Sequence, residues 1–228
     1  MAIDLRTIPK EKQTYEICLD SIRVSWRQLQ YVVTDLQTEE LCLEAVKQDS
    51  YALKYAKNQT PKICLTAVRQ TGLALMYVHD QTPEICLAAV EQDGMALYYV
   101  KEQTLEICLA AVKQNDWTLE YVKDQTPEIC LEAVRHNGMA IRRVKERTPE
   151  ICLEAVKQNG MALVHIPKRE QTLPIAIAAL KQDPDCRLSL AARFRTSEVY
   201  KAAGYDYKPE DLAPPGKCVE RERTAAKD

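Results

Sequence analysis

The stretch QTPEICLAAVEQDGMALYYVKEQTLEICLAAVKQ (residues 81–114) contains nearly the same sequence motif twice, with a cysteine at the same position in each half. These cysteines belong to a series whose members are 24, 22, 22, 22, 22 and 22 residues apart: Cys18, Cys42, Cys64, Cys86, Cys108, Cys130 and Cys152. Ala176 takes the cysteine position of an eighth copy, and a threonine stands four residues before that position in every copy. Because a fixed period of this length is typical of stacked repeat proteins, the sequence predicts eight tandem copies.

Each copy carries the signals of two short helices. In copy seven, Thr148 is a suitable N-cap, Pro149 suits the first helical position, and Glu150 lies where the helix dipole favours an acid. Gly160 predicts a left-handed stop, as do the glycines at the same position of other copies: Gly72, Gly94 and Gly138. A second helix of about two turns follows. Because helices this short are marginal alone, we predict an all-α, α/α solenoid of about eight 22-residue two-helix repeats, with atypical ends that act as caps.

Helical spacing assigns the faces of these helices. The buried stripe of copy four is predicted to contain Leu87, which widens it, together with seven other side chains: Ile85, Cys86, Ala89, Val90, Ala96, Leu97 and Val100. Tyr99 lies at the edge of this stripe and Tyr98 outside it. The positions that vary between copies fall mainly on the outer face.

The array is flanked by segments that depart from the repeat pattern. We expect an N-terminal lead-in over residues 1–13, the solenoid over 14–194, a docked helix over 195–208 and a flexible tail over 209–228. With 46% hydrophobic and 28% charged residues, the composition is ordinary for a soluble protein. The opening residues lack a secretory signal and no stretch is long enough for a membrane span, which predicts a reducing, cytoplasmic location.

The cysteine series is predicted to be a packing feature. Equivalent cysteines in stacked copies should lie roughly 8–10 Å apart, the distance between packed helices. A disulfide needs Cα atoms within about 7 Å, and thiolates that share a zinc ion lie closer still. A small buried hydrophobic side chain accounts for the pattern, and no metal or other cofactor is predicted.

Five tyrosines form a second series, thirteen residues after the cysteines: Tyr31, Tyr55, Tyr77, Tyr99 and Tyr121. One interpretation is an aromatic strip that stacks bases or grips a peptide. The other is that each ring covers its neighbour while its hydroxyl stays in water.

Charge is distributed unevenly along the chain. Between Thr82 and Glu128 nine acids accompany three lysines, a net charge of −6, whereas from Arg135 to Arg195 twelve Lys and Arg accompany six acids, a net charge of +6. Such asymmetry steers an oppositely charged partner or aligns the protein against itself. Candidate binding residues are the variable outer side chains and the basic stretch: Met76, Tyr98, Trp117, Glu120, Arg142, Arg143, Lys145, Arg147, Lys168 and Arg169.

The recurring phrase EICLAAVxQNGxALxYV resembles the bacterial and phage tandem repeats known as domain of unknown function 4116. Matching pairs include Cys152-Leu153, Ala155-Val156, Asn159-Gly160 and Ala162-Leu163. The resemblance covers roughly Thr14 to Phe194 and implies the repeat fold, but it carries no catalytic residues. It also implies kinship with phage proteins and with effectors aimed at host proteins.

The sequence contains no glycine-rich phosphate loop and no nucleophile elbow, so we do not expect an enzyme. The expected function is a protein-interaction scaffold, and in its most specific form a phage or bacterial inhibitor that blocks a larger protein such as a defence nuclease. The expected partner is another protein, with no membrane involved. Two alternatives remain: nucleic-acid binding, expected to be weak, through the basic C-terminal half, and a structural protein that self-assembles through its acidic and basic halves.

Overall fold

The computed structural model describes residues 4–205, and every regular element in that range is a helix. The α-helices are α1 Tyr15–Val24, α2 Glu39–Gln48, α3 Pro61–Gln70, α4 Pro83–Gln92, α5 Leu105–Gln114, α6 Pro127–His136, α7 Pro149–Gln158, α8 Leu173–Gln182 and α9 Ser197–Ala202. The 3₁₀ helices are η1 Leu5–Thr7, η2 Lys10–Lys12, η3 Trp26–Tyr31, η4 Thr34–Leu36, η5 Ser50–Tyr55, η6 Gly72–Tyr77, η7 Gly94–Tyr99, η8 Asp116–Tyr121, η9 Gly138–Arg143, η10 Gly160–His165, η11 Pro184–Ser189 and η12 Ala192–Phe194. The predicted all-α repeat solenoid is confirmed.

The helices are grouped into two compact units, an N-terminal unit that ends at Asp124 and a C-terminal unit that begins at Gln125. The described part of the N-terminal unit holds α1–α5 and η1–η8, and that of the C-terminal unit holds α6–α9 and η9–η12. Within each unit, the α-helices of successive copies contact one another, and so do their 3₁₀ helices. Each unit is therefore a stack with an α layer and a 3₁₀ layer.

The α-helices begin where the sequence predicts. In copies one to seven the threonine side chain accepts a hydrogen bond from the backbone N–H three residues later, as Thr148 does from Ile151 at 3.3 Å. Pro149 occupies the first position of α7. The side chain of Thr172 makes no such bond in copy eight. The cap and the proline are local signals, which is why they could be identified without tertiary information.

The second helix of each copy is a six-residue 3₁₀ helix, which makes two turns at three residues per turn. The residue before it adopts an extended conformation and, in most copies, caps it: Asn159 accepts a hydrogen bond from the Met161 N–H at 3.0 Å. In copy four Gly94 and Leu97 are buried and three residues apart, so they lie on one side of the 3₁₀ helix, and the buried Val100 directly follows its end. The predicted length was right, and the structure adds the helix type.

The buried stripe of copy four is close to the predicted one: seven of its eight side chains are at most 3% exposed, whereas Leu87, predicted to widen it, is half-buried. Tyr99 is half-buried and Tyr98 is 64% exposed, also as predicted. The same pattern recurs in the other copies, so each unit has a continuous core of small and branched side chains between its two layers.

The prediction that the repeat glycines act as left-handed stops is wrong. Among residues 4–205 the only glycine with a positive φ is Gly204. The repeat glycines instead begin the 3₁₀ helices and press against the last turn of the next α-helix. A Cβ atom would lie 2.8 Å from the Ala111 carbonyl oxygen at Gly94 and 2.6 Å from the Ala179 carbonyl oxygen at Gly160. Glycine is therefore needed for close approach between copies.

We expect Gly160→Ala to lower the free energy of unfolding by about 2–3 kcal/mol, because the new methyl group would push against backbone atoms that cannot move independently. Urea unfolding followed by circular dichroism measures the change. Ser50→Ala is the matched control: Ser50 takes the same position in copy two, is 2% exposed, and already carries a Cβ atom. A loss of stability at Gly160 no larger than that at Ser50 would contradict the close-approach explanation.

Residues at both ends of the described chain contribute buried side chains to the fold. Leu5, in the predicted lead-in, is 1% exposed. At the other end α9 contacts α8 and buries Val199 and Tyr200. The predicted tail over 209–228 lies outside the described residues.

Candidate interaction surface

A glutamine precedes the capping threonine in seven of the eight copies: Gln13, Gln37, Gln59, Gln81, Gln103, Gln125 and Gln171. Gln103 shows what these side chains do. Its Nε2 donates hydrogen bonds to the carbonyl oxygens of Leu97 at 3.5 Å and Tyr121 at 3.0 Å, and its Oε1 accepts one from the Lys123 N–H at 2.9 Å. Helix ends leave backbone groups that need partners. We call this set the glutamine ladder, because its members hydrogen-bond the ends of the 3₁₀ helices and several, like Gln103, join two successive ones.

The cysteines face this ladder. The Cys108 Sγ lies 3.8 Å from Oε1 of Gln103 in donor geometry, and the same contact occurs in four other copies, at Cys18, Cys64, Cys86 and Cys130. All eight cysteines of the described chain are buried, which confirms the packing prediction. The structure adds a polar role, because a protonated thiol is a weak hydrogen-bond donor and a thiolate is not.

Burial raises the pKa of these thiols, because a buried thiolate loses its hydration. For Cys42, Cys64 and Cys152 the pKa rises to about 11. For Cys186 it rises to about 12. The neutral, donating form of the thiol is therefore the one that suits the folded chain.

Copy seven has Arg147 in place of the ladder glutamine, and the structure explains the exchange. Each ladder glutamine accepts a hydrogen bond from the N–H of the residue twenty positions later, but arginine has no acceptor. Twenty positions after Arg147 stands Pro167, which has no N–H to donate. Arg147 replaces the ladder glutamine as a hydrogen-bond donor only: its Nε donates to the Ile141 carbonyl oxygen at 3.2 Å. This predicted binding residue is thus half-buried and serves the ladder.

The exposed side of the 3₁₀ layer is formed by positions two and five of the six-residue helices, which lie on one face because they are three residues apart. We call this surface the 3₁₀ ridge. It carries seven of the ten large hydrophobic side chains that are exposed in the described chain: Tyr51, Met76, Tyr98 and Trp117 in the N-terminal unit, and Met161, Val164 and Leu188 in the C-terminal unit. Exposed apolar groups are therefore concentrated on one layer.

Five of the predicted binding residues lie at these ridge positions: Met76, Tyr98, Trp117, Glu120 and Arg142. All five are exposed, with Trp117 at 53% and Met76 at 45%. The structure thus places them on one type of surface, although they lie in different copies.

Aromatic rings meet between successive copies of the N-terminal unit. The Tyr98 ring lies 5.0 Å from that of Tyr99 and 5.3 Å from that of Tyr121, both in edge-to-face geometry. Tyr77 has a similar contact with Tyr51 at 5.9 Å. The tyrosine series is half-buried, and four of its five rings contact aromatic side chains outside the series: Tyr55, Tyr77, Tyr99 and Tyr121. Tyr98 itself stands outside the series and is the most exposed ring of this cluster.

The basic residues of copy six differ in their exposure to solvent. Arg142 and Lys145 are exposed, whereas Arg143 is half-buried in the position that tyrosine takes in earlier copies. Burial lowers the pKa of His165, and the nearby charges of Arg142 and Arg147 lower it further. Arg142 and Arg147 are therefore the cationic groups of this neighbourhood, and they favour the neutral form of His165.

The two remaining predicted binding residues have contacts of their own. The Lys168 ammonium donates to the carbonyl oxygens of Ser189 and of Leu190, the latter at 3.2 Å, and thereby caps η11. Arg169 is exposed and lies 3.4 Å from the Glu170 carboxylate. Lys168 therefore contributes to the fold, and Arg169 extends into solvent.

The α layer offers a different surface. A groove of about 550 Å³ between α4 and α5 is lined by Leu87, Leu105 and Leu109 together with Glu91 and Glu106. No group of three or more His, Cys, Asp or Glu side chains in residues 4–205 is placed to hold a metal ion. None of the helices in the described range is long and apolar enough to cross a membrane.

Comparison with known proteins agrees with the repeat seen in the structure. The family model described as Domain of unknown function (DUF4116) matches four overlapping windows, residues 38–82, 60–105, 82–126 and 126–171. No curated protein and no solved structure matches the chain. Together the four windows span more than half of the sequence, and each covers two copies of the cysteine repeat. The chain therefore belongs to the DUF4116 family as a tandem array of its helical repeat.

Proposed function

We propose that this protein is a non-enzymatic scaffold that binds another protein through its 3₁₀ ridge. The observation that carries the proposal is the concentration of exposed apolar side chains at positions two and five of the 3₁₀ helices. Exposed aromatic groups among charged ones are the residue types that dominate protein interfaces. In its most specific form the proposal is a phage or bacterial inhibitor that covers a larger protein, such as a defence nuclease. The resemblance to phage proteins and to effectors aimed at host proteins supports an inhibitor of this kind.

The contrast between nearly constant buried positions and variable exposed positions in the copies supports this function. Buried positions hold nearly the same residues in every copy, so within each unit successive copies pack on one another in the same way. Position five, by contrast, runs through very different side chains: Gln30, Lys54, Met76, Tyr98, Glu120, Arg142, Val164 and Leu188. A rigid stack with a varied outer row is how repeat proteins build specific binding surfaces.

Nucleic-acid binding through the C-terminal unit is the second candidate. That unit has 13 Lys and Arg against 9 Asp and Glu between residues 125 and 205, a net charge of +4, and it exposes Arg142, Lys145 and Arg169. We rank it lower because Arg147 and Lys168 donate to backbone carbonyls of the fold. Self-assembly through oppositely charged units ranks third, since the N-terminal unit has 13 Lys and Arg against 18 acids between residues 4 and 124.

We expect the double change Tyr98→Ala and Trp117→Ala to weaken capture of a protein partner from native lysate by about tenfold or more, because both side chains are exposed aromatic anchors. Stability should change little, since neither is buried. Leu105→Ala is the matched control, because Leu105 is 44% exposed but lies at the start of α5, away from the ridge.

The same lysate treated with nuclease separates the two leading functions. Capture through the ridge should survive the treatment. Binding of labelled DNA or RNA should be strong only at about 50 mM salt and disappear at about 200 mM, as contacts to phosphate alone do. Loss of capture in Leu105→Ala with full capture in the ridge variant would place the interface on the α layer and contradict the proposal.

A further inference from the structure

We propose that the aromatic cluster of copies four and five binds cationic side chains, arginine or lysine, of a basic segment in the partner protein. The cluster consists of Tyr98, Tyr99 and Tyr121, with Glu120 beside it on η8. This inference rests on the proposed function and names the chemistry of the partner at one part of the ridge.

The cluster presents an accessible aromatic surface. Tyr98 is 64% exposed and is held between two other rings, at centroid distances of 5.0 and 5.3 Å. Both contacts are edge-to-face, with interplanar angles of 89° and 80°. The rings therefore point in different directions, and a single cationic group can approach more than one of them. Cations bind aromatic faces by attraction to the ring quadrupole.

The chain already uses this interaction on the 3₁₀ layer. The Lys54 ammonium, at position five of η5, lies 5.7 Å from the centroid of Tyr55 at position six. In copy one the Arg27 guanidinium lies 4.4 Å from the ring of Trp26. In copies four and five, position five holds Tyr98 and Glu120, so it supplies no cation to the ring that follows. A cation from another molecule would complete the arrangement that Lys54 makes internally.

The charge around the cluster favours a cation over other ligands. Glu120 is exposed and takes the same position on η8 that Tyr98 takes on η7, and these two helices contact each other. The exposed acids Glu102 and Asp124 follow the two helices in the chain, each directly after a lysine. The two lysines, Lys101 and Lys123, donate to the carbonyl oxygens of His79 and Lys101. The N-terminal unit as a whole carries a net charge of −5 between residues 4 and 124. This field attracts a basic segment and repels the phosphates of a nucleic acid that would otherwise stack its bases on the rings.

The test is a titration of the full chain with fluorescently labelled decaarginine and, in parallel, with the uncharged decacitrulline peptide. We expect decaarginine to bind about tenfold more tightly than decacitrulline, because only the first carries the charge. Tyr98→Leu, which keeps an apolar side chain but removes the ring, should weaken decaarginine binding by about fivefold, and Glu120→Gln by a similar factor.

Glu84→Gln is the matched control, because it makes the same change of charge in the same unit but at an exposed position of α4. Its affinity should stay within about twofold of the parent chain, because Glu84 lies on the α layer and salt screens the attraction between exposed charges. An equal loss in Glu84→Gln and Glu120→Gln, or no loss in Tyr98→Leu, would show unspecific attraction and overturn the inference.

Failure of this inference and failure of the proposed function give different results. If decaarginine neither binds nor competes with the captured partner, while Tyr98→Ala with Trp117→Ala still abolishes capture, the ridge is an interface for other chemistry and the cation inference is wrong. If the ridge variant also captures normally, both are wrong. Competition by decaarginine that is lost in Tyr98→Leu supports both.

Discussion

The free energy of unfolding should fall by on the order of 5 kcal/mol as the pH rises from 9 to 11 under reducing conditions. The cause is the set of buried thiols. Burial raises the pKa of Cys42, Cys64 and Cys152 from the ordinary value of 9.0 to about 11, and that of Cys186 to about 12. The unfolded chain therefore loses these protons at lower pH than the folded chain does.

The sign follows from proton binding. Below pH 9 both states hold the thiol protons, so the stability is fully present. Between pH 9 and pH 11 the folded state retains protons that the unfolded state releases, and each such proton lowers the stability by about 1.4 kcal/mol per pH unit. The loss is complete once the pH has passed the folded-state value. An ionised thiol would also face the ladder oxygen, for example Oε1 of Gln59 at 3.9 Å from the Cys64 sulfur.

Urea midpoints at unit pH intervals from 7 to 11, in the presence of a reductant, measure this dependence. The double variant Cys64→Ala and Cys152→Ala should be less stable at pH 7 because of the cavities, but its stability should fall less steeply above pH 9. Alanine is compatible with the position, since Ala176 occupies it in copy eight. An unchanged slope in the double variant would exclude the thiols as the titrating groups.

The second large effect is expected from Gln103→Met, which we predict to lower the free energy of unfolding by about 3–5 kcal/mol. Methionine has nearly the shape of glutamine but neither donates nor accepts strongly. The change removes the bonds to the Leu97 and Tyr121 carbonyls and to the Lys123 N–H. The two carbonyl groups are partly buried at the junction of two copies, where a missing partner costs about 1–3 kcal/mol each. The Lys123 N–H is exposed, so water can replace its partner and it adds less.

Gln114→Met is the control for this change. Gln114 donates to the Glu91 carbonyl oxygen at 3.1 Å, but this bond is exposed, so water can replace it and the loss should stay below about 1 kcal/mol. Both variants can be compared by thermal and urea unfolding. Equal losses at Gln103 and Gln114 would mean that the ladder is no more important to the stack than an ordinary surface bond.

The sequence by itself determined the features that depend on neighbouring residues. The period of 22 residues, the threonine caps and the buried stripe of copy four could all be predicted, because capping and helical spacing act within a few positions. The exposed residues Tyr98 and Trp117 could be predicted for the same reason, since they fall outside that stripe. The glutamine ladder also left a signal, a glutamine before the threonine in seven copies, but a polar residue in a connection reads as solvent-exposed.

Only the tertiary structure decided how the copies are held together. Gln103 bonds to groups 18 and 20 residues ahead of it and 6 behind, and these meet only when the copies stack. For the same reason Gly160 was misread, since its constraint is a carbonyl oxygen of the next copy and not its own backbone angle. Arg147 is predicted to bind from its charge, and the structure adds a role in the ladder, because its Nε donates to the Ile141 carbonyl oxygen. The local sequence pattern predicts whether a residue faces the core or the solvent. Its hydrogen-bond and packing partners lie in neighbouring copies, so only the tertiary structure identifies them.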